Sequence, residues 1–127
     1  VPALPLIVVD SIEDVIKSKD LRSFFKKLGL DDDVKRVAGK VKIRSGKAHV
    51  RGRVKKVPKG PLFVLSKDKG LGRAIRSFPG VEYVLAKDLS VLNLAPGSQA
   101  ARLVVWTRSS LKRLPKPLLE VGERIAV

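Results

Sequence analysis

The sequence has 127 residues and a mass of 13.9 kDa, the size of one domain built around one core. Its 27 Lys and Arg against 12 Asp and Glu leave a formal charge of +15, and so many positive charges held close together make sense mainly against a polyanion. With no Cys and one His it excludes a disulfide framework and thiol chemistry and leaves little for zinc or haem, and no stretch approaches the roughly 20 consecutive apolar residues of a membrane span.

In chain order, Leu4 to Val9 is an apolar run closed by Asp10, which predicts a buried strand whose start is limited by Pro5. A helix is expected over Lys19 to Leu28, with Ser18 as its N-cap and Gly29 at its C-terminus. Leu21, Phe24, Phe25 and Leu28 then share one stripe. A second short helix over Asp32 to Ala38 turns Val34 and Val37 inward and leaves Lys35 and Arg36 outside. Asp31, Asp32 and Asp33 cannot all point at one metal ion from a helix start; their better explanation is favourable negative charge at a helix N-terminus.

The charge is concentrated in the middle of the chain. Residues 1–33 carry five basic and seven acidic side chains, residues 34–67 twelve basic and none acidic, and residues 68–127 ten basic and five acidic. From Arg44 to Lys59 the only bulky apolar residues are Val50, Val54 and Val57, too few for a core face, so Lys40 to Lys59 reads as an extended basic loop inside the domain. A solvated charged face is the competing reading, but such faces usually interleave both signs and this run has one. Glycines at 39, 46, 52 and 60 allow tight turns and close approach of backbone to phosphate. Arg44, Arg51 and Arg53 are expected to make the specific contacts, because a guanidinium bonds phosphate bidentately whereas Lys acts as a point charge. Lys40, Lys42, Lys47, Lys55, Lys56 and Lys59 supply further charge, and His49, with no carboxylate nearby in sequence to make it a base, is read as an RNA contact against plain exposure.

Downstream, Pro61 to Ser66 predicts a second strand, Leu71 to Phe78 a helix, Val81 to Ala86 a third strand, and Asp88 to Leu94 a short helix or turn stopped by Ala95-Pro-Gly97. Arg102 to Trp106 is the fourth strand, and Thr107 is expected to cap a helix that carries Leu111 and Leu114 and is ended by Pro115. Strands alternating with short helices predict an α/β fold, a three-layer α/β/α sandwich with a mostly parallel sheet of about four strands spanning residues 1–114, followed by a tail over 115–127. Gly70-Leu-Gly72 after a strand raises a dinucleotide site, but Ile75 stands where that pattern needs a third small residue, so a turn opening a helix is the simpler reading. Trp106 reads as a core or sheet-edge residue, and with aromatics at 5% no base-stacking platform is visible.

Four segments, in this order and spacing, resemble one family. Leu4-Pro-Leu-Ile-Val-Val-Asp10, Ile43-Arg-Ser-Gly-Lys-Ala-His-Val-Arg-Gly-Arg53, Ala95-Pro-Gly97 and Arg102-Leu-Val-Val-Trp-Thr107 are similar to the archaeal and eukaryotic branch of large-subunit ribosomal protein four, over about residues 3–114. The resemblance implies a nonenzymatic cytoplasmic protein of the ribosome, without cofactor, metal or small-molecule substrate, seated on large-subunit rRNA beside neighbouring large-subunit proteins. It also implies a long basic extension ahead of Val1 that reaches the peptide exit tunnel; no residue here matches it, and the absence of Met fits a C-terminal portion of a longer chain. The family's loop motif falls on Arg44, Gly46, Lys47, Arg51, Gly52 and Arg53. After Ala95-Pro-Gly97 the family continues with Gly and His before an Arg, whereas this chain reads Ser98-Gln-Ala-Ala-Arg102; Arg102 is still carried as an RNA contact. The rival readings are a stand-alone RNA-binding regulator and a nucleotide-dependent enzyme on the same fold class.

Overall fold

Every side chain from Leu62 to Leu65 is buried, which a strand achieves only when both faces of its sheet are covered. The computed structural model describes residues 4–100 and 102–114. The chain runs through β1 (Leu6–Val8), a 3-10 turn (Asp10–Asp14), α1 (Ser18–Lys27), α2 (Asp31–Gly39), β2 (Lys42–Ile43), α3 (Lys47–Val50), β3 (Lys55–Lys56) and β4 (Leu62–Leu65). It continues through α4 (Leu71–Ile75), β5 (Glu82–Leu85), a 3-10 turn (Ala86–Asp88), α5 (Val91–Leu94), a further 3-10 turn (Pro96–Ser98), β6 (Val104–Thr107) and α6 (Arg108–Lys112).

Strands β1, β6, β4 and β5 lie in that order in one sheet, with every neighbouring pair parallel. The fold is α/β around a parallel four-stranded sheet, as the alternation of apolar runs and short helices predicts. The order is not consecutive: β6 inserts between β1 and β4, pairing Val105 with Leu6 on one side and Phe63 on the other. One face carries the main core, where Leu21 and Phe25 of α1, Leu30 and Val34 at α2, and Leu71, Ala74 and Ile75 of α4 pack on Leu6, Val8, Phe63, Leu65 and Val105. Phe25 lies at its centre, 4.9 Å from Phe78 edge-on and 5.9 Å from Phe63. The opposite face is smaller, with Leu62, Val64 and Ala86 covered by Leu89, Leu94 and the half-buried Trp106.

Local chemistry explains the element ends. After α1, Gly29 adopts φ 68° while its N–H donates to Lys26 and that of Leu30 donates to Phe25, a paired C-terminal cap that sends Leu30 into the core. Helix α2 begins with three aspartates, as expected, and two of them serve again, since Asp31 pairs with Lys35 at 2.6 Å and Asp33 with Arg36 at 2.7 Å. Thr107 caps α6 by accepting from the Ser110 N–H at 3.3 Å. Three expectations are corrected. Ser18 is the first helical residue rather than a side-chain cap, α4 ends at Ile75 rather than Phe78, and α6 stops at Lys112, short of Leu114. The expected tail over 115–127 lies outside the described residues.

Candidate nucleic-acid interface

The basic segment is not an extended loop. Strands β2 and β3 form an antiparallel ladder that pairs Lys42 with Lys56 and Ile43 with Lys55, and the Arg44 N–H extends it by donating to Val54 at 2.8 Å. At the tip Gly46 opens the helical turn α3 with φ 68° and ψ −152°, a region open essentially to glycine alone. The turn closes as α1 does: the Gly52 N–H donates to His49 and the Arg53 N–H to Ala48, with Gly52 at φ 79°. The spacing of Gly46, Lys47, Arg51, Gly52 and Arg53 is therefore the spacing of a capped helical turn, and it holds both arginines at fixed places beside the second glycine. Sequence reasoning left this turn undetected, although Gly-Lys-x-x-x-Arg-Gly is the pattern that would have found it.

The hairpin has no core of its own. Ile43 and Val50 are 75% and 84% exposed, and Val54 and Val57 also face solvent. Among the described residues no carboxylate lies within ion-pair distance of Lys40, Lys42, Arg44, Lys47, Arg51, Arg53, Lys55 or Lys56. By contrast, Lys35 and Arg36, from the same basic stretch of sequence, are neutralised on α2. Arg44 is the half-buried member, lining a shallow concavity with Lys42, Ile43, Ser45, Ala48 and Lys56, and its Nε has no hydrogen-bond partner. His49 is exposed on α3.

The other two expected contacts sit differently. Lys59 pairs with Glu82. Arg102 is an internal residue: its side chain is 4% exposed, and its guanidinium donates to the carbonyls of Gly60 at 2.9 Å and Asn93 at 2.8 Å and to Glu82 Oε2 at 2.8 Å. Those bonds engage all three nitrogens of the fork with acceptors of the protein itself. Burial pushes the Glu82 carboxyl up, but the hydrogen bonds and charges of Lys59 and Arg102 outweigh it and hold Glu82 below its ordinary 4.5. Gly60 is likewise buried against Gly80 instead of lying open to a ligand, its N–H donating to the Gly80 carbonyl at 2.8 Å.

The places where this fold class usually holds a nucleotide are filled by the protein itself. The N–H groups of Gly70 and Gly72, which a phosphate would need, both donate to Asp68 Oδ1. At the carboxyl ends of the strands, the buried Glu13 accepts from Ser66 N at 2.7 Å and Thr107 Oγ1 at 3.0 Å, and Asp10 accepts from the Ser109 N–H and hydroxyl. No cluster of metal-ligating side chains occurs among the described residues, and no helix there is long and apolar enough to cross a membrane.

Residues 4–116 match the model of the ribosomal protein L4/L1 family. The chain belongs to that family. It is 46% identical over 111 residues to large ribosomal subunit protein uL4 of Methanocaldococcus jannaschii, covering 87% of this chain and 44% of that protein. To the proteins of the same name from Sulfurisphaera tokodaii and Saccharolobus solfataricus it is 44% and 41% identical, over 91% and 90% of this chain and 44% and 43% of theirs. The chain thus spans less than half the length of these curated L4/L1 relatives. The match runs through the hairpin as well as the sheet, so the motif that builds the capped tip lies within the family region.

Proposed function

We propose that this chain is a nonenzymatic structural constituent of the large ribosomal subunit that binds folded large-subunit rRNA through its basic hairpin. Lys40, Lys42, Arg44, Lys47, His49, Arg51, Arg53, Lys55 and Lys56 make the contacts, with Lys59 at the margin because Glu82 already shares its charge. The observation that carries this reading is the concentration of cations without carboxylate partners on a hairpin that lacks a core, beside a sheet that balances or buries its own polar groups. Such a surface costs self-repulsion until phosphates neutralise it. A rigid tip that fixes Arg51 and Arg53 suits RNA whose phosphates already stand in fixed places. The names of the relatives support the large subunit as the setting, with neighbouring ribosomal proteins as further partners and the cytoplasm as the location.

Titration of the protein with folded large-subunit rRNA fragments at several salt concentrations tests this. The logarithm of affinity should fall linearly with that of salt, and replacing Arg51 and Arg53 by Gln should make the slope shallower by up to about two. Association insensitive to salt, or a double variant that binds as the parent does, would overturn the assignment. Retention on intact large subunits at high salt separates a ribosomal constituent from a free-standing RNA-binding regulator, which would wash off.

A further inference from the structure

A ladder of two residue pairs, with Ile43 in it and Val54 and Val57 beside it all exposed, cannot fix its own direction in space. The root of the hairpin does that. Its return leg reaches the sheet through Lys59 and Gly60, and both are gripped: Glu82 Oε1 accepts from the Lys59 ammonium, Glu82 Oε2 accepts from Nη2 of Arg102, and Nε of Arg102 donates to the Gly60 carbonyl. The third nitrogen of Arg102 holds the Asn93 carbonyl at the end of α5. The leg also lies against the Pro79-Gly80 turn and Val37 of α2. A Cβ at Gly80, where φ is 74°, would come within 2.4 Å of the Pro58 carbonyl and 2.5 Å of Val37 Cγ1. The leg is therefore held by a glycine turn and by a guanidinium that ties it to β5 and α5.

We propose that Arg102 is a positioning residue that sets the angle at which the basic hairpin leaves the sheet, and that this angle is what lets the protein prefer folded rRNA to unstructured RNA. The proposal rests on the RNA-binding reading of the hairpin. Arg102 touches no RNA; it acts by holding the root so that the hairpin's cations meet a preformed set of phosphates without first being ordered. Unstructured RNA can wrap onto those cations at any hairpin angle and gains nothing from the grip. Lysine cannot substitute, because a point charge on a flexible stem cannot hold three acceptors lying in different directions, as a planar fork does.

The full chain carrying Arg102→Lys is compared with the parent for binding to a folded large-subunit rRNA fragment and to polyuridylate, each across a salt series. The expected result is a loss of about tenfold for the folded fragment, little change for polyuridylate, and an unchanged salt slope for both, since no phosphate contact is removed. Amide exchange at Gly60 should quicken as well. A slope shallower by about one would make Arg102 a direct contact and overturn the proposal, as would equal loss for both RNAs or no loss for either. If Arg102→Lys does not fold cooperatively, Glu82→Gln removes charge from the same grip at constant shape and should show the same selective loss. The parent reading fails separately: a parent protein without preference for folded rRNA, or unaffected by Arg51→Gln with Arg53→Gln, would sink both.

Discussion

Lys42 stands directly opposite Lys56 across the hairpin ladder, two like charges in one cross-strand pair. Such a pair destabilises an isolated ladder by roughly 0.2–1 kcal/mol, so the arrangement suits a hairpin that meets an anion. Lys56→Glu should therefore pull in opposite directions. The free hairpin tightens, seen as slower exchange of the Arg44 amide that bonds Val54, while affinity for folded rRNA falls by about tenfold because a cation becomes an anion. Parallel changes in the two readouts would show that the pair is not held apart by repulsion in the free protein.

Gly46 sits at φ 68° and ψ −152° with nothing within 4 Å of where a Cβ would be, so backbone conformation and not space demands glycine there. Gly46→Ala should cost the tip about 1–3 kcal/mol and unwind α3, displacing Arg51 and Arg53. The urea midpoint of the domain should hardly move, since α3 contributes no buried residue. Affinity for rRNA should drop. A large fall in midpoint with unchanged affinity would reverse the roles assigned to tip and core.

The parts of the fold legible in the sequence are those whose information is hydropathic. Leu62 to Leu65 announces itself because a strand buried on both faces must be apolar at every position, and α1 because Leu21 and Phe25 lie one turn apart. The hairpin was opaque to pattern reading: β2 and β3 are two residues each and mostly lysine, so no alternation exists to detect. Its order comes from Gly46 and Gly52, which carry conformation rather than hydropathy. The setting of Arg102 is illegible in the sequence for a different reason. Its acceptors lie 42, 9 and 20 residues away in sequence, and an arginine's role is fixed by partners that only the folded sheet brings near.

Asp10 and Glu82 are two of the carboxylates whose ionised forms the fold favours. Hydrogen bonds from the Ser109 side chain and backbone hold Asp10 below its ordinary 3.8, and the Lys59 and Arg102 bonds hold Glu82 below 4.5 against the opposing effect of burial. Because both are depressed on folding, their stabilisation is fully present above those ordinary values and is lost as pH falls through the lowered ones. Thermal midpoints should be flat with respect to these groups from about pH 5 to 8 and fall below about pH 4. Asp10→Asn and Glu82→Gln should each lower the neutral midpoint and flatten the acid limb. An acid limb as steep in the double variant as in the parent would assign the transition to other groups.

Thr107 links the sheet to the buried Glu13: its hydroxyl donates to Glu13 Oε1 at 3.0 Å and accepts from the Ser110 N–H at 3.3 Å. Thr107→Val keeps the shape and removes both bonds. The loss should be about 2–3 kcal/mol, combining a buried acceptor left short of a donor with a missing helix cap. Urea unfolding measures it, and rRNA affinity of the folded fraction should stay the same because Thr107 is remote in role from the hairpin.

The last prediction separates a placed set of charges from charge in bulk. Lys35 and Arg36 belong to the same acid-free stretch of sequence as Arg51 and Arg53, yet Asp31 and Asp33 neutralise them on α2, whereas the tip arginines have no such partner among the described residues. Replacing either pair by Gln removes two charges from the same formal +15. If net charge alone drew RNA to the protein, both double variants would weaken binding alike. With the hairpin as the interface, Arg51→Gln with Arg53→Gln should cost about tenfold or more in affinity and flatten the salt slope, while Lys35→Gln with Arg36→Gln should cost less than about threefold and leave the slope nearly intact. Equal losses in the two variants would mean that the folded hairpin adds nothing to what the amino-acid composition already supplies.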